Sequence, residues 1–293
     1  MIRKILPAVF LVIILGCSQQ SKFPPPSQSE RFQTVPVRSE EVKEAEKNVI
    51  AVTLIFHIGR SSPLNFLSII SSPRLELGGT GFMIRPGIVV TARHILMEGI
   101  LGLAQRGLPF EVDASGLPKS KDGSYGYSFK GTTNVDGHSQ DFELLPIAIG
   151  KLGEHKDFMA LKAINYPKNL KPLKLAELKE KDLVYISGYI PVFSAYPDSI
   201  GREAMVLSDV LKESLEGQVY EVIKNMPINK VGVDTYYRIF GDAEPGFSGG
   251  PIINKNGEVG AMTLEVIKRF VYAISVKDID DFINALEKRG LIK

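Results

Sequence analysis

The sequence predicts an all-β protein that ends in a helix, and three observations carry that reading. Short apolar runs bounded by Gly, Pro and Asn recur from Val49 to Ile274, as in a barrel or sandwich rather than in alternating strand–helix units. Asn256-Gly257, between Ile252-Ile253 and Val259, is the residue pair that most favours a two-residue hairpin turn. Near the end, Ile279, Phe282, Ile283 and Leu286 fall at helical spacings of three and four.

Taken in order, the chain opens with a positive Arg3-Lys4 and an apolar stretch from Ile5 to Leu15, which reads as a signal peptide over residues 1–16. It is too short to cross about 30 Å of hydrocarbon as a helix. Leu15-Gly16-Cys17 looks like a bacterial lipobox, with Cys17 as the lipidated N-terminus of the mature chain. The expected location is therefore extracytoplasmic, on a bacterial membrane through the N-terminal lipid. Cys17 is the only cysteine, so no intrachain disulfide forms. Residues 17–47 read as a tether and lead-in: Ser, Gln and Pro dominate at first, then a charged segment, Glu40 to Lys47, predicts a short helix.

Expected strands cover 49–56, 81–84, 88–91, 144–149, 158–163, 183–187, 204–211, 219–223, 236–240, 251–254, 258–266 and 269–274. Between them, Leu101 to Gln140 is polar and glycine-rich and reads as surface hairpins. Tyr189 to Arg202 is aromatic and proline-containing and is placed near a cleft rim. Ser275 with Asp278 forms a capping box for the last helix, and Gly290 ends it.

The chemistry concentrates in Gly246-Phe247-Ser248-Gly249-Gly250-Pro251. Glycines around a serine permit sharp turns and close substrate approach. The N–H groups of Gly246 and Ser248 then stand where they can share one developing oxyanion. Chain order narrows the possible base. The histidines are His57, His94, His138 and His155, and none follows Ser248 as the α/β-hydrolase order requires. The first aspartate, Asp113, follows His94, so an Asp–His–Ser order would need His138 or His155, neither of which has a supporting motif. The order His, Asp, Ser remains. His57, inside VTLIFHIG, reads as a core or edge-strand residue, and His138 as a loop residue. His155 is given no role.

Two further stretches fit that order. Gly79-Thr80-Gly81-Phe82-Met83-Ile84, followed by Ile88 to Leu96 around Thr91-Ala92-Arg93-His94, resembles the first signature of the trypsin-like serine proteases. Gly153-Glu154-His155-Lys156-Asp157-Phe158 resembles their second. The sequence is thus similar to chymotrypsin-fold proteases, nearest in texture to the HtrA-like and glutamyl-endopeptidase-like bacterial branches. With nothing after Lys293 a PDZ module is not expected.

The resemblance implies two six-stranded antiparallel β-barrels. The first spans residues 48–164 with His94 and Asp157; the second spans 165–293 with Ser248 and a C-terminal helix packed on it. It also implies a serine endopeptidase with His94, Asp157 and Ser248 as triad, Gly246 and Ser248 as oxyanion hole, and polypeptide substrates. A non-catalytic binding or scaffold protein on the same fold is the alternative. Counting along the family's pocket, Asp242, Thr263, Leu264, Glu265 and Tyr272 are the candidate substrate-binding residues. A buried Asp242 would favour Arg or Lys, whereas Tyr272 filling the pocket would favour small or apolar side chains. Glu265 is placed on the face of Thr263 by strand alternation.

The position before the serine is Phe247, which forms no ion pair with a new N-terminus, so a trypsin-type zymogen switch is not expected. No cofactor or metal is expected, since neither HExxH nor paired-cysteine spacing occurs. Removing Arg3 and Lys4 from 35 basic residues leaves 33 against 33 acidic ones, so no basic excess favours nucleic acid.

Overall fold

The structure, a computed structural model, describes residues 38–58, 74–105, 107–113, 116–123, 125–135, 138–150, 156–197, 203–224 and 235–292. The signal segment, Cys17 and His155 lie outside the described residues.

A short helix, α1 (Glu40–Glu46), leads in, capped by Ser39, whose hydroxyl accepts from the Val42 N–H. The first barrel then forms from β1 (Val49–Ile58), β2 (Arg74–Arg85), β3 (Ile88–Thr91), β6 (Tyr125–Val135), β7 (His138–Ile149) and β8 (Met159–Ile164). Its closed order is β1-β2-β3-β8-β7-β6, and every pairing is antiparallel. Closure removes the free edges that unpaired strands would expose. Helix α2 (His94–Gln105) and a small hairpin of β4 (Phe110–Val112) and β5 (Pro118–Ser120) fill the long β3–β6 crossover.

The second barrel uses β9 (Leu183–Pro197), β10 (Glu203–Ile223), β11 (Tyr236–Gly241), β12 (Pro251–Asn254), β13 (Val259–Ile267) and β14 (Phe270–Ser275). They close in the order β10-β11-β14-β13-β12-β9. The chain is all-β in two six-stranded barrels, with α3 (Val276–Lys288) at the C-terminus.

Several expectations change. The stretch from Leu101 to Gln140 is not surface decoration: it holds the end of α2, all of β6 and the start of β7. Tyr125 and Phe129 point inward and are buried, and Tyr127 packs edge-on to both Phe56 and Phe129. The outer positions carry Lys130 and Thr132, which bond Asp141 on β7, and that polar face hides the strand. His138 stands in β7, opposite Val135. The two strands expected at 204–211 and 219–223 are one long strand, β10, which pairs with β9 through a register shift between Leu207 and Asp209.

The turn at Asn256-Gly257 is wider than two residues. Asn254 N–H donates to the Glu258 carbonyl at 2.8 Å, and the Asn254 side chain accepts from Asn256 and Glu258 N–H groups. Asn254 thus closes a four-residue loop by an Asx-type contact.

Helix α3 also differs in detail. Ser275 caps it by accepting from Lys277 N–H, but Asp278 accepts from Thr235 N–H rather than completing a capping box. Nor does α3 sit on the second barrel alone. Phe282 meets Phe158 with ring centroids 4.9 Å apart, and Arg85 of β2 bonds Asp280 at 2.5 Å. Ile279, Ile283 and Leu286 join the same buried cluster as Phe82, Val89 and Phe158, so the helix clamps both barrels.

Candidate active site

The three motif stretches meet between the barrels. Strand β3 ends at Thr91, and α2 starts at His94. The buried side of that helix, Ile95, Leu96, Gly99, Ile100 and Leu103, fixes it on the first barrel. Ile95 lies so close to Gly79 that a Cβ there would meet its Cδ1 at 2.2 Å, which accounts for the glycine in β2.

Asp157 lies just before β8, in a segment whose neck is closed by Gly150 N–H donating to the Phe158 carbonyl at 2.8 Å. Its carboxylate engages His94 twice. Oδ1 accepts the His94 backbone N–H at 2.8 Å, and Oδ2 lies 2.7 Å from His94 Nδ1. Burial opposes charge on His94, but the hydrogen bond and negative charge of Asp157, with Glu98 and Glu265 further off, outweigh it and hold the imidazole pKa above its ordinary value. Burial likewise works against the Asp157 carboxylate. The bond and charge of His94, Arg93 and the backbone N–H prevail and hold it below its ordinary value.

The serine loop follows β11. Gly246 and Gly249 have φ of 100° and 85°, a region open chiefly to glycine. Space demands glycine too: a Cβ at Gly246 would stand 2.3 Å from the Tyr189 carbonyl oxygen, and one at Gly249 2.2 Å from that of Thr80. Phe247 is buried in the second core, against Gly188. Among the described residues, neither the Gly246 nor the Ser248 N–H has a protein acceptor.

Thr80 ties the stretches together, a role the sequence reading did not give it. Its N–H donates to the Ser248 carbonyl at 2.9 Å, and its hydroxyl donates to the Gly246 carbonyl at 2.7 Å while accepting from Tyr189 N–H at 2.8 Å. Its own carbonyl accepts from the Thr91 hydroxyl at 2.6 Å. A fully buried polar side chain between glycines is the signal that marks it.

The Ser248 hydroxyl donates to the Leu264 carbonyl at 3.2 Å. Among the described residues it makes no bond to His94. The accepting carbonyl belongs to the residue at which the register of β13 against β14 shifts, between Thr263 and Glu265. That bulge makes both Thr263 and Leu264 buried, turns Glu265 outward with its carboxyl still partly screened from water, and leaves the Thr263 hydroxyl without a partner among the described residues. Glu265 is therefore not on the face of Thr263, because the extra residue breaks the alternation. It stands opposite half-buried Tyr272. Its partial burial, then the charge of Asp157, raise its carboxyl pKa against a smaller opposing effect of His94. Asp242 is exposed, because the segment after β11 runs along the surface, so it does not form the floor of a dry pocket. His57 is exposed on β1, where Nε2 lies 3.0 Å from the Ser128 hydroxyl.

The model of the trypsin-like peptidase domain family matches residues 79–262, well over half the chain. Two crystal structures of Rv3671c are similar. The serine-to-alanine mutant from M. tuberculosis H37Rv, in an inactive form, shares 17% identity at a TM-score of 0.49, covering 85% of this chain and 91% of that one. The Rv3671c protease in its inactive form shares 19% at 0.46, covering 85% and 92%. No curated protein matches the sequence. This chain belongs to the trypsin-like peptidase family and is a serine protease.

Proposed function

We propose that the chain is an endopeptidase working through Ser248, His94 and Asp157. The observation that carries this reading is the double engagement of His94 by Asp157. It leaves Nε2 as the free ring nitrogen and fixes the tautomer with the proton on Nδ1. In the reaction, Ser248 Oγ forms a bond to the peptide carbonyl carbon as its proton passes to His94 Nε2. The tetrahedral oxyanion takes the Gly246 and Ser248 N–H groups, each worth about 3–4 kcal/mol in comparable sites. Collapse breaks the C–N bond, His94 returns the proton to the leaving amine, and water repeats the sequence on the acyl-enzyme.

For this to begin, the Ser248 hydroxyl turns from the Leu264 carbonyl to His94. Mass spectrometry of protein quenched during turnover of an activated ester tests the step. An acyl adduct on the peptide containing Ser248 is expected; hydrolysis with the adduct elsewhere would overturn it.

Substrate recognition rests on β13 and β14, where Glu265 pairs with Tyr272 next to the Leu264 carbonyl that Ser248 meets. The chain acts at a bacterial membrane surface, held by lipid on Cys17. A Cys17→Ser variant should leave the membrane fraction or stay uncleaved, and an unmodified mature N-terminus elsewhere would rule the anchor out. A scaffold role is not favoured, since His94, Asp157 and the serine loop are all held in place by hydrogen bonds.

A further inference from the structure

We propose that Arg93 is a positioning residue, fixing the rotamer of Asp157 and setting how tightly it holds His94. The inference rests on the reading of His94 and Asp157 as base and orienting acid. Arginine is seldom buried without a partner that requires it. Here its side chain is 15% exposed, less than either Asp157 at 23% or His94 at 27%.

Its guanidinium reaches two places. One terminal nitrogen donates to the Gly150 carbonyl at 3.0 Å, and Nε lies 3.8 Å from Asp157 Oδ1. Gly150 and Phe158 are the two ends of the neck that carries Asp157, so Arg93 braces that neck to the start of α2. The carboxylate is consequently divided. Oδ1 faces a backbone N–H and a cation, while Oδ2 is left to the imidazole. Rotating the carboxylate would part Oδ1 from both of its neighbours, and the rotamer that serves Nδ1 is retained.

The charge has its own consequence. The other groups acting on the pair are Glu98 from α2 and Glu265 from β13, both acids that favour imidazolium. Lys156, next to Asp157 in the chain, acts instead on Asp278 of α3. Arg93 helps hold the Asp157 carboxylate below its ordinary value and so offsets part of the negative field that favours imidazolium.

Arg93→Met and Arg93→Lys in the full chain separate these effects. Two readouts are needed: kcat and KM against pH, and the NMR titration of the His94 ring in a Ser248→Ala background. For Arg93→Met, the acidic limb of kcat/KM and the His94 titration should both move up by roughly 0.5–1 pH unit. Its kcat should fall about tenfold with KM within about twofold, as for loss of an outer partner of an active group. Arg93→Lys, which keeps charge but not the fork, should restore the limb and only part of kcat. An unmoved His94 titration in Arg93→Met, or a limb displaced equally by Arg93→Lys, would overturn the proposal. The titration needs no turnover, so a failure of Ser248 as nucleophile would show separately, as lost acylation beside an unchanged Arg93 effect.

Discussion

The two barrels bring unequal halves to the site. The first barrel's half is complete: Asp157, just before β8, holds His94 through ring and backbone, and His94 sits on a packed helix start. The second barrel's half is pinned as backbone yet unengaged as chemistry. Thr80 and β13 fix the loop, while the Ser248 hydroxyl faces the Leu264 carbonyl. In the proposed mechanism the base is thus oriented in advance, and the nucleophile is the part that must move. Differences in rate between substrates should then arise at β13.

The largest break in this comparison comes from either half alone. His94→Ala or Ser248→Ala should each reduce kcat by roughly four to six orders of magnitude, and the double variant little further, because triad members act as a unit. Peptide hydrolysis with thermal melting as a folding control checks this. Loss on His138→Ala rather than His94→Ala would contradict it.

Next is the clasp between the halves. Thr80→Val leaves the buried Tyr189 N–H and Gly246 carbonyl without a partner, at about 1–3 kcal/mol each. Melting temperature and kcat should both drop, and Thr80→Ser should recover them. A stable, fully active Thr80→Val would show that the loop is held in some other way.

The sequence made much of this arrangement readable, and the failures have physical causes. His94 and Ser248 stand in motifs whose residue types are dictated locally by a buried strand end and by positive φ at glycine. Strand β6 was missed although Tyr125, Tyr127 and Phe129 alternate, because its other face bears glycine, lysine and threonine that bond across to β7. The bracing by Arg93 depends on Gly150, more than fifty residues away, and the Leu264 bulge on how β13 pairs with Tyr272 of the next strand. No local pattern records them.

The first half is sharpened by pH. The proposed mechanism needs neutral His94, whose pKa burial lowers but Asp157 raises by more, to above its ordinary value. Activity should therefore fall as pH drops through a midpoint above the ordinary imidazole value. Asp157→Asn removes the opposing charge, so the limb should move to lower pH while kcat falls by roughly 10⁴ through loss of the tautomer. A limb that stays fixed would mean Asp157 does not act on His94.

The smallest effect concerns the rim. Both Asp242 and Glu265 are exposed, but only Glu265 lies close enough to His94 and Asp157 for their charges to act on it. A peptide-library profile should be unchanged in Asp242→Ser and altered in Glu265→Gln; the reverse pattern would move recognition from β13 to the loop after β11.

The measurement closest to the central claim is reaction with a fluorophosphonate probe, read by intact mass in wild type and Ser248→Ala. One adduct on the wild type, mapped to Ser248 and absent from the variant, is the expected result. An adduct that survives the substitution, or no adduct on a folded wild type, would contradict the account.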